Sequence, residues 1–117
     1  MQLSEIQYEN ATPIDGYGRG FYRIGGQVFD GAVLTRLAGT EPWGGYDDEK
    51  TLLALAEEID VLLVGTGPEI AHIPAALRTR LEEAGIGVEI MNSPAACRTY
   101  NVLLSEGRRV AAALLPM

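Results

Sequence analysis

The chain has 117 residues, one cysteine, one histidine and a formal net charge of −7. That length fits one compact domain with a core that needs no disulfide or metal staple, and a single cysteine beside a single histidine makes a poor zinc set. At pI ≈ 4.6 the chain is also a poor general nucleic-acid binder, because phosphate contacts need clustered Lys and Arg.

Met1 to Glu9 has no basic stretch followed by an apolar one, and it carries two acids and no arginine. It therefore reads as neither a secretory signal nor a transit peptide, and the expectation is a soluble cytoplasmic protein. The apolar run from Val110 to Leu115 is far too short to span a membrane.

Residues 14–37 read as a β-meander. Gly25-Gly26 between two β-rich pieces is a two-residue hairpin signal, and Asp30-Gly31 is a second turn signal. The last piece, residues 32–37, is apolar enough to be buried. Residues 38–47 read as a loop, in which Trp43 is either a lid over the core or a contact for a partner protein. Asp47 or Asp48 then caps a helix running to about Glu58, with Leu52, Leu55, Ala56 and Ile59 on one face.

The rest of the chain alternates. Val61–Val64 is a continuous apolar run, as a strand covered on both faces requires. Gly65-Thr66-Gly67-Pro68 interrupts it. Pro74 opens a helix through Ala84, with Leu77, Leu81 and Ala84 on one face and Gly85 as its stop. Val88–Met91 is the next strand. Ser93-Pro94 reads as a cap followed by proline at the first helical position, and that helix runs to about Ser105. Val110–Leu115 is the last strand, and the short connection before it leaves its direction open. This order predicts an α/β fold: a single-domain, three-layer sandwich with a mostly parallel, mixed central sheet, helices and an N-terminal meander. Residues 1–37 form the meander and residues 38–117 the alternating unit.

Neither Gly16-x-Gly18-x-Gly20 nor Gly65-Thr66-Gly67 has the spacing of a dinucleotide fingerprint, and there is no Gly-Lys-Ser/Thr. No cofactor, metal or catalytic set is expected. Ligands of open α/β sheets sit at the carboxyl ends of strands, which here are Gly65-Thr66-Gly67 and Asn92-Ser93. Each precedes a helix start, where free N–H groups attract anions. Ser93 either joins such a site or caps its own helix. Cys97, beside Arg98 in the first turns of that helix, is either a thiol activated by the helix end and the cation or a small packing residue. Residues 1–60 hold four basic and eleven acidic side chains, and residues 61–117 hold five of each. Any pocket is therefore expected in the second, charge-balanced half, with the acidic half solvated or facing a partner.

Three stretches carry a resemblance: Ile14-Asp-Gly-Tyr-Gly-Arg-Gly-Phe21, Leu62-Leu-Val-Gly-Thr-Gly67, and Val88 through Arg108 with the Val-Ala-Ala-Ala-Leu strand behind it. Together they resemble the small family of unknown function that includes the mitochondrial NADH dehydrogenase (complex I) assembly factor 3 protein. The resemblance runs from about residue 8 to residue 115. It implies a single-domain three-layer fold with a mixed sheet and a packed β-ribbon. It also implies no established reaction, and a role in helping to build a respiratory complex. Gly65, Thr66, Gly67, Cys97, Thr99, Tyr100, Asn101, Glu106, Gly107 and Arg108 fall on the family's motif. The combined expectation is a non-enzymatic domain with a protein partner and no nucleic acid. It would reach a membrane only peripherally, through that partner. Nothing in the residues sets an oligomeric state. The rival expectation is a small-molecule, anion-binding or enzymatic domain using the loops at Thr66 and Ser93 with Cys97.

Overall fold

The computed structural model describes residues 11–117. The Met1 to Glu9 stretch, read above for targeting signals, lies outside the described residues. Three strands, β1 (Ile14–Gly18), β2 (Phe21–Ile24) and β3 (Gln27–Asp30), form an antiparallel ribbon in the order β1-β2-β3. The Gly25-Gly26 turn has φ of +60° and +78°, which the mirror-image hairpin turn demands and side-chain-bearing residues avoid. Ile24 pairs with Gln27 across it.

The chain then leaves the ribbon. β4 (Val33–Arg36), expected as the last strand of the meander, belongs instead to the central sheet. Its burial explains the change: Val33 and Leu34 are both fully covered, and they point into different core clusters. A ribbon strand with one wet face cannot bury both sides, whereas an inner strand of a sandwiched sheet can. β5 (Gly39–Pro42) is also a strand, where a loop is expected, and it pairs back on β4 through a two-residue turn. Gly, Glu and Pro have low strand preference, so the segment gives little warning. As the sheet edge, β5 tolerates Pro42. The Thr35 and Thr40 hydroxyls meet at 2.6 Å across this pair, and Arg36 Nη1 donates to Glu41 Oε2 at 3.1 Å.

After a single 3-10 turn (Gly45–Asp47) comes α1 (Glu49–Leu53), much shorter than the helix expected up to Glu58. Beyond Leu53 the backbone tightens: Leu55 N–H donates to Leu52 O and Ala56 N–H to Leu53 O. These i→i−3 bonds replace the regular ladder. Leu52, Leu55 and Ile59 are buried as the periodicity requires. Asp48 precedes α1 and accepts the Thr51 hydroxyl at 2.8 Å, a contact that lowers its pKa.

β6 (Val61–Gly65), α2 (Ala75–Glu83), β7 (Gly87–Met91), α3 (Ser93–Ser105) and β8 (Val110–Leu114) complete the chain. Pro74 sits just outside α2 rather than at its first position. Leu77 and Leu81 are buried, but Ala84 is exposed, and Ile86 takes the place expected of it. The sheet order is β5-β4-β8-β6-β7, with β8, β6 and β7 parallel and β4 and β5 antiparallel to their neighbours. The last strand thus runs parallel to β6. One crossover steps from β6 out to β7, and the next steps back over β6 to β8. Right-handed connections in opposite directions must use opposite faces of a sheet.

The two core clusters follow that rule. Leu52, Leu55, Ile59, Leu77 and Leu81 cover one face, meeting Leu62, Val64, Ala111 and Ala113. Ala96, Cys97, Tyr100 and Leu104 of α3, with Tyr22 and Ile24 of the ribbon, cover the other, meeting Leu63 and Ala112. The result is the expected α/β three-layer sandwich: α1 and α2, the mixed sheet, then α3 with the ribbon. Asn101 ties α3 to the ribbon. Its Oδ1 accepts from Ile14 N–H and its Nδ2 donates to Ile14 O, both at 2.8 Å.

Candidate functional site

The loops after β6 and β7 meet at the carboxyl ends of the parallel strands, and they fasten to each other. Ser93 N–H donates to Gly67 O at 2.7 Å, and Gly67 N–H donates to Ser93 Oγ at 2.9 Å. Thr66 N–H donates to Met91 O, while the Thr66 hydroxyl donates to Glu69 O and accepts from Ala71 N–H. Helix α3 is capped by Asn92, not by Ser93: Asn92 Oδ1 accepts from Ala95 N–H at 2.8 Å, and Asn92 O accepts from Ala96 N–H. Ser93 is the first helical residue, is fully buried, and spends its hydroxyl on the neighbouring loop.

That arrangement decides what this place can do. The N–H groups of Thr66, Gly67, Ser93, Ala95 and Ala96 all have protein acceptors, and Pro94 has none to give. An anion would have to break an existing bond to gain one of these donors, and α2 begins only at Ala75, so Thr66 does not stand at a helix start.

Two residues that the sequence did not single out complete the cluster. The Tyr22 hydroxyl donates to Leu115 O, beside Ser93. Burial pushes Tyr22 up to about 12 against the lowering contact with Ser93. Leu115 N–H donates to Gly65 O at 2.9 Å. Ribbon, β6, β8 and α3 are therefore joined at one polar cluster under an apolar cover.

Cys97 lies in the same layer, 4% exposed, among Tyr22, Leu63 and Tyr100. Burial pushes its thiol up to about 12, and Arg98, itself exposed, opposes this only partly. Cys97 is thus placed as a buried core residue. His72 is exposed in the loop before α2, near Ile90, which packs on the α1–α2 face of the sheet. Cys97 is on the other face, so the two do not form a nucleophile–base pair. Trp43 is 5% exposed and packs in the α1–α2 core, which makes it the lid and not a surface contact.

The native thiol is expected to react with iodoacetamide at pH 8 on the order of 100-fold more slowly than the urea-unfolded chain. Equal rates would overturn its placement. The same burial has a pH consequence. The fold holds the Cys97 proton more tightly than an ordinary thiol titrating near 9, so its contribution is present below pH 9. It is lost as the pH climbs toward 12. Urea midpoints measured from pH 7 to 11 should stay level to about pH 9 and then fall, less steeply in Cys97→Ala.

Among the described residues, no helix is long and apolar enough to cross a membrane.

The model of a family described as a protein of unknown function, DUF498/DUF598, matches residues 14–115. The chain belongs to that family. It is 53% identical over 117 residues to an uncharacterized protein of Rhodobacter capsulatus, covering all of this chain and 94% of that one. It is 32% identical over 124 residues to the mouse NADH dehydrogenase [ubiquinone] 1 alpha subcomplex assembly factor 3, covering 99% of this chain and 66% of that protein. A solved structure from Bartonella henselae, described as an outer membrane protein, superposes with a TM-score of 0.83 at 35% identity. It covers 94% of this chain and 98% of that one. The family thus includes complex I assembly factors. Its motif reads here as scaffold: Tyr100 is a fully buried core residue, Asn101 ties the ribbon, and Gly107 ends α3.

Proposed function

We propose that this chain is a non-enzymatic protein-interaction domain that helps assemble a membrane-bound respiratory complex of the complex I type. The similarity to assembly factor 3 over 99% of the chain carries the reading. The closed loops at Thr66 and Ser93 and the buried, protonated Cys97 support it against the anion-binding or enzymatic alternative. The chain spans about two-thirds of the mouse relative, so the domain core is what the two have in common. Its contact with the membrane runs through the partner.

Deleting the gene in the native host should lower the amount of assembled NADH:quinone oxidoreductase on native gels. Subcomplexes should accumulate, and a tagged copy should co-purify with subunits of that enzyme. An unchanged level of assembled enzyme in the deletion strain would sink the reading.

A further inference from the structure

A cavity lies away from the strand-end loops, at the opposite end of the sheet. It has a volume of about 420 Å³, within the size range of small-molecule sites. It straddles the two halves of the chain, contrary to the expectation of a pocket within residues 61–117. Its floor is apolar: Ile59, Leu104 and Val110 are 3%, 6% and 2% exposed. Leu37 stands at the rim, an apolar side chain 64% exposed.

The charge here runs against that of the whole protein. Arg36, Arg108 and Arg109 line the cavity, with Glu58 as the one acid, in a chain of net charge −7. Arg109 is spent on the carbonyls of Glu57 and Glu58. Arg36 is ion-paired with Glu41 at 3.1 Å and with Glu58 at 3.6 Å, the second pair being too long to give its buried Nε a hydrogen bond. The Arg108 side chain makes no hydrogen bond or ion pair among the described residues.

We infer that this cavity binds a small amphipathic carboxylate: an unbranched apolar tail over Ile59, Leu104 and Val110, with the acid group held by Arg108 and drawn by Arg36. The apolar floor excludes a bare inorganic anion, which would lose its hydration there without compensation. The guanidinium fork fits a carboxylate with two parallel bonds. A cationic head would face the unpaired Arg108, with the arginines of the lining outnumbering its single carboxylate, Glu58. This site goes beyond the partner-binding reading and stands or falls apart from it.

The test is a titration of the full chain with decanoate, followed by backbone amide NMR. Saturable shifts centred on Leu104, Gly107 and Val110 are expected below about 1 mM. Arg108→Gln, which lies at an exposed position and leaves the core untouched, should weaken binding about ten-fold, the scale of one charge-assisted bond. Decanol and decyltrimethylammonium should bind more weakly than decanoate. Equal binding of the ammonium, shifts centred elsewhere, or no saturation at about 1 mM would overturn the proposal. So would shifts that disappear on dilution of the protein, because the occupant would then be a second copy of the chain.

Discussion

Trp43→Ala is expected to lower the unfolding free energy by about 3–5 kcal/mol, the cost of removing a large buried aromatic without refilling its space. The indole sits in the core with Leu52, Leu55 and Leu77, and its Nε1 donates to Asp48 O at 3.3 Å. Its ring meets Tyr46 edge to face, with centroids 6.0 Å apart. The substitution would remove the side chain that closes the core below β5 and orders the entry to α1. At a urea dependence of about 1–3 kcal/mol per molar, the midpoint should drop by roughly 2 M. Circular dichroism is the readout, because Trp43 is the only tryptophan. A loss below about 1 kcal/mol would place the residue on the surface after all.

Gly65→Ala comes next, at about 2–3 kcal/mol, a shift of roughly 10 °C in Tm for a domain of this size. Gly65 ends β6 where the sheet, α3 and the ribbon converge. A Cβ there would lie 2.7 Å from Leu114 Cδ2, 2.8 Å from Ser93 Oγ and 3.0 Å from Ser93 Cα. The leucine tip can swing away. The backbone of Ser93 cannot move without breaking its two bonds to Gly67. Overpacking against a fixed helix start is therefore the cause, and conformational freedom at Gly65 plays no part. Gly16→Ala is the control, because a Cβ at that position meets nothing within 4 Å. If the two variants melt together, the close approach at Gly65 is wrong.

The strand-end loops show how a site can be legible in position and illegible in chemistry. The alternation of strands and helices correctly placed Thr66 and Ser93 side by side at the carboxyl ends of β6 and β7. It could not show that each loop consumes the other's donors, because hydrogen bonds between segments 26 residues apart leave no mark on either segment. Asn92 was in view as a strand-end residue, and its identity as the cap depended on a one-residue shift that Ser93-Pro94 disguised. By residue type Tyr22 is only a member of a β-rich piece. Nothing local marks a tyrosine that reaches across to Leu115 O, 93 residues away.

Periodicity, apolar runs and turn residues alone determined the α/β class, the buried run of β6, Leu77 and Leu81 of α2, the Gly25-Gly26 turn and the packing partners Leu52, Leu55 and Ile59. These depend on interactions within one element or on whether a face is wet. Tertiary structure alone decided that β4 joins the central sheet, that β5 is a strand, that Trp43 is covered and that Arg36 and Arg108 line one cavity. Each of those depends on which distant segment lies alongside. The same holds for the charge of −7. As a sum it made the chain a poor fit for a general nucleic-acid binder, but only the fold gathered three arginines around an apolar cavity in an acidic protein.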